Sequence, residues 1–237
     1  MTDETLVFLP GTMCDARLFA PQMFELAPER SVVMAPVTRG ERVEEIASGL
    51  LDGLPRRFAL CGQGLGGMVA IDIMRRAPDR VSRIALIATN ALQDTPADAA
   101  QRESWIVGAR TGRLREVMAE MIPPEALAPG TDRAAIRALL DDMADFLGPE
   151  IFVRQMRILQ RRRDLQSALR RCKVPALMIA GSEDRLFPVK RMEFLAEFTP
   201  YASLQVIEGA GHFPSLEAPG ALSSVLRSWL SAPLVLT

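Results

Sequence analysis

The sequence predicts an α/β protein, with a mostly parallel sheet flanked by helices. Two observations lead there. Short apolar runs alternate with amphipathic stretches along most of the chain, the pattern of an open sheet covered by helices on both faces. The runs are apolar throughout instead of alternating with polar residues, as parallel strands buried on both faces require. A third observation qualifies the class. After Asn90 the strand signal stops, and about seventy residues read as helix alone.

Taken in order, residues 5–9 (TLVFL), 31–35 (SVVMA), 58–61 (FALC), 83–88 (RIALIA), 176–180 (ALMIA) and 203–207 (SLQVI) read as strands. Helical periods occupy 42–53, 66–77, 189–198 and 219–231. Between Asn90 and the fifth strand come four further helical segments, near 97–109, 112–121, 131–146 and 149–161. Pro123, Pro124, Pro129 and Gly130 punctuate that stretch. The expected organisation is a core of residues 1–90 and 166–237, interrupted by a helical cap of residues 91–165. The cap is placed over the carboxyl edge of the sheet, where open α/β sheets bind ligands. The plainer alternative is a set of ordinary crossover helices.

Composition narrows the function. Apolar residues make up 49% of the 237 positions, enough for a sizeable core. The formal net charge is −1, with both signs spread along the chain, so the basic stripe of a nucleic-acid binder is missing. No apolar run nears the ~20 residues of a membrane helix. The start, Met1-Thr2-Asp3-Glu4-Thr5, lacks the basic opening and apolar stretch of a secretory signal. Cys14, Cys61 and Cys172 are odd in number and match no disulfide framework or metal-site spacing. A cytoplasmic protein without metal or cofactor is expected. The sequence does not set its oligomeric state.

The chemistry is concentrated after the third strand. FALC runs into Gly62-Gln63-Gly64-Leu65-Gly66-Gly67 and then the helical Met68-Val69-Ala70-Ile71. Two mechanisms use a strand, a glycine turn and a helix in that order. The dinucleotide fingerprint G-x-G-x-x-G fits these letters, but it belongs after a first strand, with an acidic residue about 20 positions on. Here the following strand ends in Ala88-Thr89-Asn90, with no carboxylate. The nucleophile elbow G-x-S-x-G fits the context and lacks only its serine.

Two further stretches complete the second pattern. They are Gly181-Ser182-Glu183-Asp184-Arg185-Leu186-Phe187-Pro188 and Gly209-Ala210-Gly211-His212-Phe213-Pro214. Together with Phe8-Leu9-Pro10-Gly11-Thr12-Met13 and the glycine turn, they resemble the α/β-hydrolase superfamily nearly end to end. The opening LPGTMCDARLF is similar to that of small bacterial members related to the pimeloyl-carrier-protein methyl ester esterases. The resemblance implies an α/β-hydrolase fold acting on a small-molecule ester or acyl substrate. It makes His212, the single histidine, the general base, and Asp184 the carboxylate that orients it, favoured over the neighbouring Glu183 by its spacing from Gly181. It makes the backbone N–H groups of Thr12 and Leu65 the oxyanion hole. It puts Gly64 at the nucleophile position.

Glycine offers no side-chain oxygen, so covalent acyl transfer through residue 64 is not expected, and activity should be absent or much weakened. The retained Asp184, His212 and Pro10-Gly11-Thr12 favour an altered or recently silenced serine enzyme. A slow direct attack by water beside His212 is one outcome; a non-catalytic binding protein on the same fold is the rival reading. Cys61, at the end of its strand, reads as a small buried hydrophobe and not as a replacement nucleophile. Gln63, Asn90 and Ser182 fall near the expected pocket without an assigned role. Trp105, Ile106, Val107, Met118, Met121, Ile122, Met143, Phe146, Phe152, Met156 and Ile158 supply the cap's apolar surface, some of it for an acyl pocket. Arg154, Arg157 and Arg161 to Arg163 would suit an acidic substrate, but read more simply as a solvated helix face.

Overall fold

Strands that need cover on both faces find it in one six-stranded sheet. The computed structural model describes residues 4–234. Its strands are β1 (Thr5–Leu9), β2 (Val32–Met34), β3 (Phe58–Gln63), β4 (Val81–Ile87), β5 (Ala176–Gly181) and β6 (Ala202–Ile207), in the order β2-β1-β3-β4-β5-β6. All five pairings are parallel. β1, β3, β4 and β5 are buried along their whole length, as their unbroken apolar sequences predict.

The two edge strands depart from that expectation. β2 is only half-buried, and β6 alternates, with Ser203 and Gln205 facing out. An edge strand has a neighbour on one side only, and its outer face is covered less completely.

The helices of the core are α1 (Ala20–Leu26), α2 (Val43–Leu51), α3 (Leu65–Arg76), α8 (Val189–Phe198), α9 (Pro214–Glu217) and α10 (Pro219–Ser231). Between β4 and β5 come α4 (Pro96–Arg110), α5 (Leu114–Met121), α6 (Arg133–Arg161) and the short α7 (Gln166–Leu169). The sequence separates 131–146 from 149–161, and the structure agrees: within the span of α6 two helices meet at Gly148, whose backbone (φ +78°, ψ +171°) is not helical, and the chain bends there ahead of Pro149. Proline removes a helical N–H and crowds the preceding turn, which accounts for the bend. α1 and the 3-10 turn Ala16–Phe19 before it were not expected from the sequence. Their start signals are an Asp15 side chain accepting from the Arg17 N–H and a proline in the first turn of α1.

The strand order positions the site. From β1 the chain moves outward to β2, then returns past β1 to lay down β3 and the remaining strands. The winding therefore reverses between β1 and β3, and a crevice opens there at the carboxyl ends of the strands. Leu9 pairs with Gly62 in register, so the loops after β1 and β3 leave the sheet side by side.

Candidate active site

The turn joining β3 to α3 is tight because its glycines admit neighbouring backbone. A Cβ on Gly62 would meet the Gly66 carbonyl oxygen at 2.5 Å, and one on Gly66 would run into the Leu9 carbonyl. Gly64 differs. A Cβ there would have Gly11 Cα, at 3.8 Å, as its nearest neighbour. Its backbone sits at φ +53°, ψ −117°, a region that side-chain-bearing residues seldom enter. The turn is fastened to β4: the Gly64 N–H donates to the Ile87 carbonyl at 3.1 Å, and the Thr89 hydroxyl donates to the Gly64 carbonyl at 2.6 Å. Thr89 thus holds the turn, and no carboxylate stands where a dinucleotide ribose would need one.

His212 and Asp184 come together from the loops after β6 and β5. Nδ1 of the imidazole lies 2.9 Å from Oδ2 of the carboxylate. Oδ1 accepts from the Leu186 and Phe187 N–H groups at 2.9 and 2.8 Å, and the side chain has no exposed surface. A carboxylate only accepts, so Nδ1 carries the proton and Nε2 is left with its lone pair. The ring is packed by Phe187 (centroids 5.2 Å apart) and Phe213 (4.9 Å).

Three side chains that sequence reasoning gave no role fasten this loop. Gln63 Nε2 donates to the His212 carbonyl at 2.9 Å, tying the loop to the glycine turn. Glu217 accepts from the N–H groups of Gly211 (2.9 Å), Phe213 (2.8 Å) and Ala128 (2.7 Å), joining it to the segment after α5. Ser182 Oγ accepts from the Gly209 N–H at 2.9 Å, linking the loops that carry Asp184 and His212. Each of these contacts spans chain far apart in sequence or depends on a short helix, so no local motif announces it.

Thr12 and Leu65 face the same space. Among the described residues neither backbone N–H donates a hydrogen bond; Leu65 opens α3, where the first amides have no helical acceptor. The loop carrying Thr12 is held by α6: buried Gln155 accepts from the Met13 N–H at 2.8 Å and donates to the Val37 carbonyl.

These groups border one cavity of about 350 Å³. Gly11, Thr12, Gly64, Leu65 and His212 form its floor, so four of the five expected site residues line it, and Asp184 stands directly behind the imidazole. α4, α5 and α6 supply the opposite wall. Of the eleven apolar residues singled out there, Trp105, Met121 and Ile122 line the cavity; Ile106, Met118, Met143, Phe152, Met156 and Ile158 are buried in the packing, and Val107 and Phe146 are exposed.

Arg162 corrects the expected solvated face. Its side chain is 4% exposed, it pairs with Asp94, and its Nε donates to the Leu92 carbonyl at 2.7 Å. Arg102 reaches the same Asp94 at 2.7 Å. Two cations converge on one carboxylate because the buried end of α6 and the first turns of α4 meet there. Arg154, Arg157, Arg161 and Arg163 pair at the surface with Glu41, Glu103, Glu41 and Glu44.

Cys61 is buried, and burial pushes its thiol well above the ordinary range; the Cys14 thiol is pushed up to about 12 for the same reason, with Asp15 nearby adding to it. Neither provides a thiolate near neutral pH. Among the described residues no three His, Cys, Asp or Glu side chains group as a metal site, and no helix is long and apolar enough to cross a membrane.

Comparison with known proteins gives a consistent result. The sequence profile of the Alpha/beta hydrolase family matches residues 6–225. A pimeloyl-[acyl-carrier protein] methyl ester esterase of Aromatoleum aromaticum is 30% identical over 193 residues, covering 76% of this chain and 77% of that protein. The protein of the same name from Xanthomonas oryzae pv. oryzae is 28% identical over 248 residues, covering 96% and 95%. Among solved structures, a thermophilic esterase from Thermogutta terrifontis, solved with malate bound, superposes with a TM-score of 0.87 at 24% identity, over 96% of this chain and 89% of that one. At that identity the likeness is one of fold.

Proposed function

The chain belongs to the alpha/beta hydrolase family, and on that footing we propose that its cavity is the site of a carboxylic ester hydrolase in which Gly64 stands at the nucleophile position. One observation carries this reading: the Asp184–His212 pair, 2.9 Å apart, opens onto the same cavity as a glycine turn held at φ +53°, ψ −117°. Such strained turns present a nucleophile at the tip of a strand. The esterase names of the relatives support an ester as substrate.

In this reading His212 is the general base, and Asp184 fixes its tautomer and stabilises the imidazolium that forms on proton uptake. The amides of Thr12 and Leu65 receive the oxyanion; a donor in such a position is worth roughly 3 kcal/mol in the transition state. Residues 91–165 act as a cap on a core of residues 1–90 and 166–237, and shelter a small-molecule ester. With no oxygen at residue 64 this chain binds the ester and forms no acyl-enzyme. Any hydrolysis it performs is a direct attack by water, deprotonated at His212. That residual rate should disappear in His212→Ala.

Gly64→Ser tests the reading. The nearest atom to a Cβ at this position is 3.8 Å away, so the hydroxyl has room. The variant is expected to hydrolyse short p-nitrophenyl esters with a burst of nitrophenol. A folded Gly64→Ser protein that binds esters but turns none over would favour the binding-protein reading instead.

A further inference from the structure

The loop after β1 carries a strained residue. Met13 has φ +53° and is fully buried. It is the third residue of a tight turn, Gly11 to Cys14, closed by the Cys14 N–H donating to the Gly11 carbonyl at 3.2 Å. Thr12 is not among the non-glycine residues with positive φ, so the signs at the two central positions are those of a type II turn. Such a turn favours glycine at the position where this chain has methionine.

Gln155 of α6 holds that form. Its side chain is fully buried, on a helix face otherwise made of Phe152, Met156 and Leu159. An amide in such surroundings is tolerated only when its hydrogen bonds are made. Oε1 accepts from the Met13 N–H at 2.8 Å, and Nε2 donates to the Val37 carbonyl at 3.3 Å. A carbonyl only accepts, so Val37 dictates that the oxygen end of the amide faces the turn. Conversion to a type I turn would turn over the central peptide: ψ of its first residue moves from about +120° to about −30°, and φ of its second from about +80° to about −90°. The Thr12 carbonyl would then face Oε1, two acceptors with no proton between them. On its present side that carbonyl accepts from the Cys14 thiol at 3.4 Å, and burial keeps the thiol protonated. Both polar groups of the central peptide are therefore satisfied in the strained form.

The turn in its turn aims an amide at the cavity. The Gly11 carbonyl and the Thr12 N–H belong to one planar peptide unit and point opposite ways. With the carbonyl committed to Cys14, the N–H is directed out of the turn, on the side where Gly11 and Thr12 line the cavity.

We propose that Gln155 is a positioning residue for the oxyanion hole: it holds the Gly11–Cys14 turn in its strained form, and so keeps the Thr12 N–H directed into the cavity. The proposal rests on the ester-hydrolase reading of the same cavity. It gives α6 a part in the chemistry besides sheltering the ligand.

Two measurements test it. With ψ near +120° the Thr12 Hα stands close to the Met13 N–H, and near −30° it turns away. The NMR spectrum of the parent is therefore expected to show a strong NOE between these protons, and Gln155→Met, which keeps the side-chain length and removes both hydrogen bonds, should lose it. A weak NOE in the parent, or one unchanged in Gln155→Met, would overturn the proposal. Gln155→Asn withdraws the carboxamide by one methylene, should show the same loss in smaller degree, and serves if Gln155→Met does not fold. The second measurement uses Gly64→Ser and p-nitrophenyl acetate. Adding Gln155→Met should lower kcat about 10–100-fold and leave KM within about 3-fold, because the oxyanion forms only in the transition state. Adding Met13→Gly as well should raise kcat again while lowering Tm, since glycine accepts positive φ but leaves a hole in the core. Activity that instead falls further with stability would reduce Gln155 to a packing role. A lost NOE with kcat unchanged defeats the link to the oxyanion hole and keeps the esterase reading. No turnover by Gly64→Ser defeats the esterase reading, while the NOE comparison still decides whether Gln155 sets the turn.

Discussion

In the proposed reading, position 64 is where two demands conflict. A nucleophile elbow needs a side chain in a backbone region that side chains avoid, at a cost on the order of 1–3 kcal/mol. Glycine enters that region freely, so this chain carries the turn without the strain. Gly64→Ser should therefore gain activity and lose stability together, with a Tm lower by roughly 2–10 °C in scanning calorimetry. An unchanged or raised Tm would show that the turn is not strained by a side chain. Glu217 offers a second test at this scale. Its carboxylate takes three backbone N–H donors from the His212 loop and the segment after α5. Glu217→Ala leaves those donors without their acceptor and should cost about 2–4 kcal/mol in denaturant unfolding. A cost below about 0.5 kcal/mol, the scale of an ordinary surface substitution, would mean that water replaces the carboxylate freely.

At the scale of elements, α4 carries a capping box at the cavity wall. The Thr95 side chain accepts from the Asp98 N–H, and the Asp98 carboxylate accepts from the Thr95 hydroxyl and N–H. Those Thr95 donors hold the Asp98 carboxyl below the usual carboxylate range. A depressed carboxyl stabilises the fold above its unfolded pKa, and that contribution is lost as pH falls through the folded value. Asp98→Asn should thus cost about 0.3–1 kcal/mol at neutral pH, and the Tm gap from the parent should narrow in acid; a gap that widens in acid would contradict the assignment. The elements themselves were largely legible. Apolar runs mark all six strands, although Ser203 and Gln205 interrupt the last, and the loss of that signal after Asn90 marks the helical layer. β6 was misjudged in burial because exposure at a sheet edge depends on what packs beside it. α1 leaves little signal although Asp15 and Pro21 mark the start of its segment, because seven residues carry only about two turns of amphipathic pattern.

For the molecule as a whole, the reversal of winding between β1 and β3 brings distant loops to one crevice. Thr12, Gly64, Leu65, Asp184 and His212 could be picked out because each lies in a short local pattern that survives without coordinates. Gln63, Gln155, Glu217 and the Asp94 cluster could not, because their partners are set by tertiary packing, over as many as 149 positions for the Gln63 bond to the His212 carbonyl. The central claim is that this assembly is complete except for one oxygen. Intact-protein mass spectrometry after exposure to a fluorophosphonate tests it most directly. The account predicts no adduct on the parent, a single adduct on Gly64→Ser mapped to the peptide spanning position 64, and strongly slowed labelling when His212→Ala is added. Rapid labelling of the parent, or a folded Gly64→Ser protein that takes up no phosphonate, would contradict it.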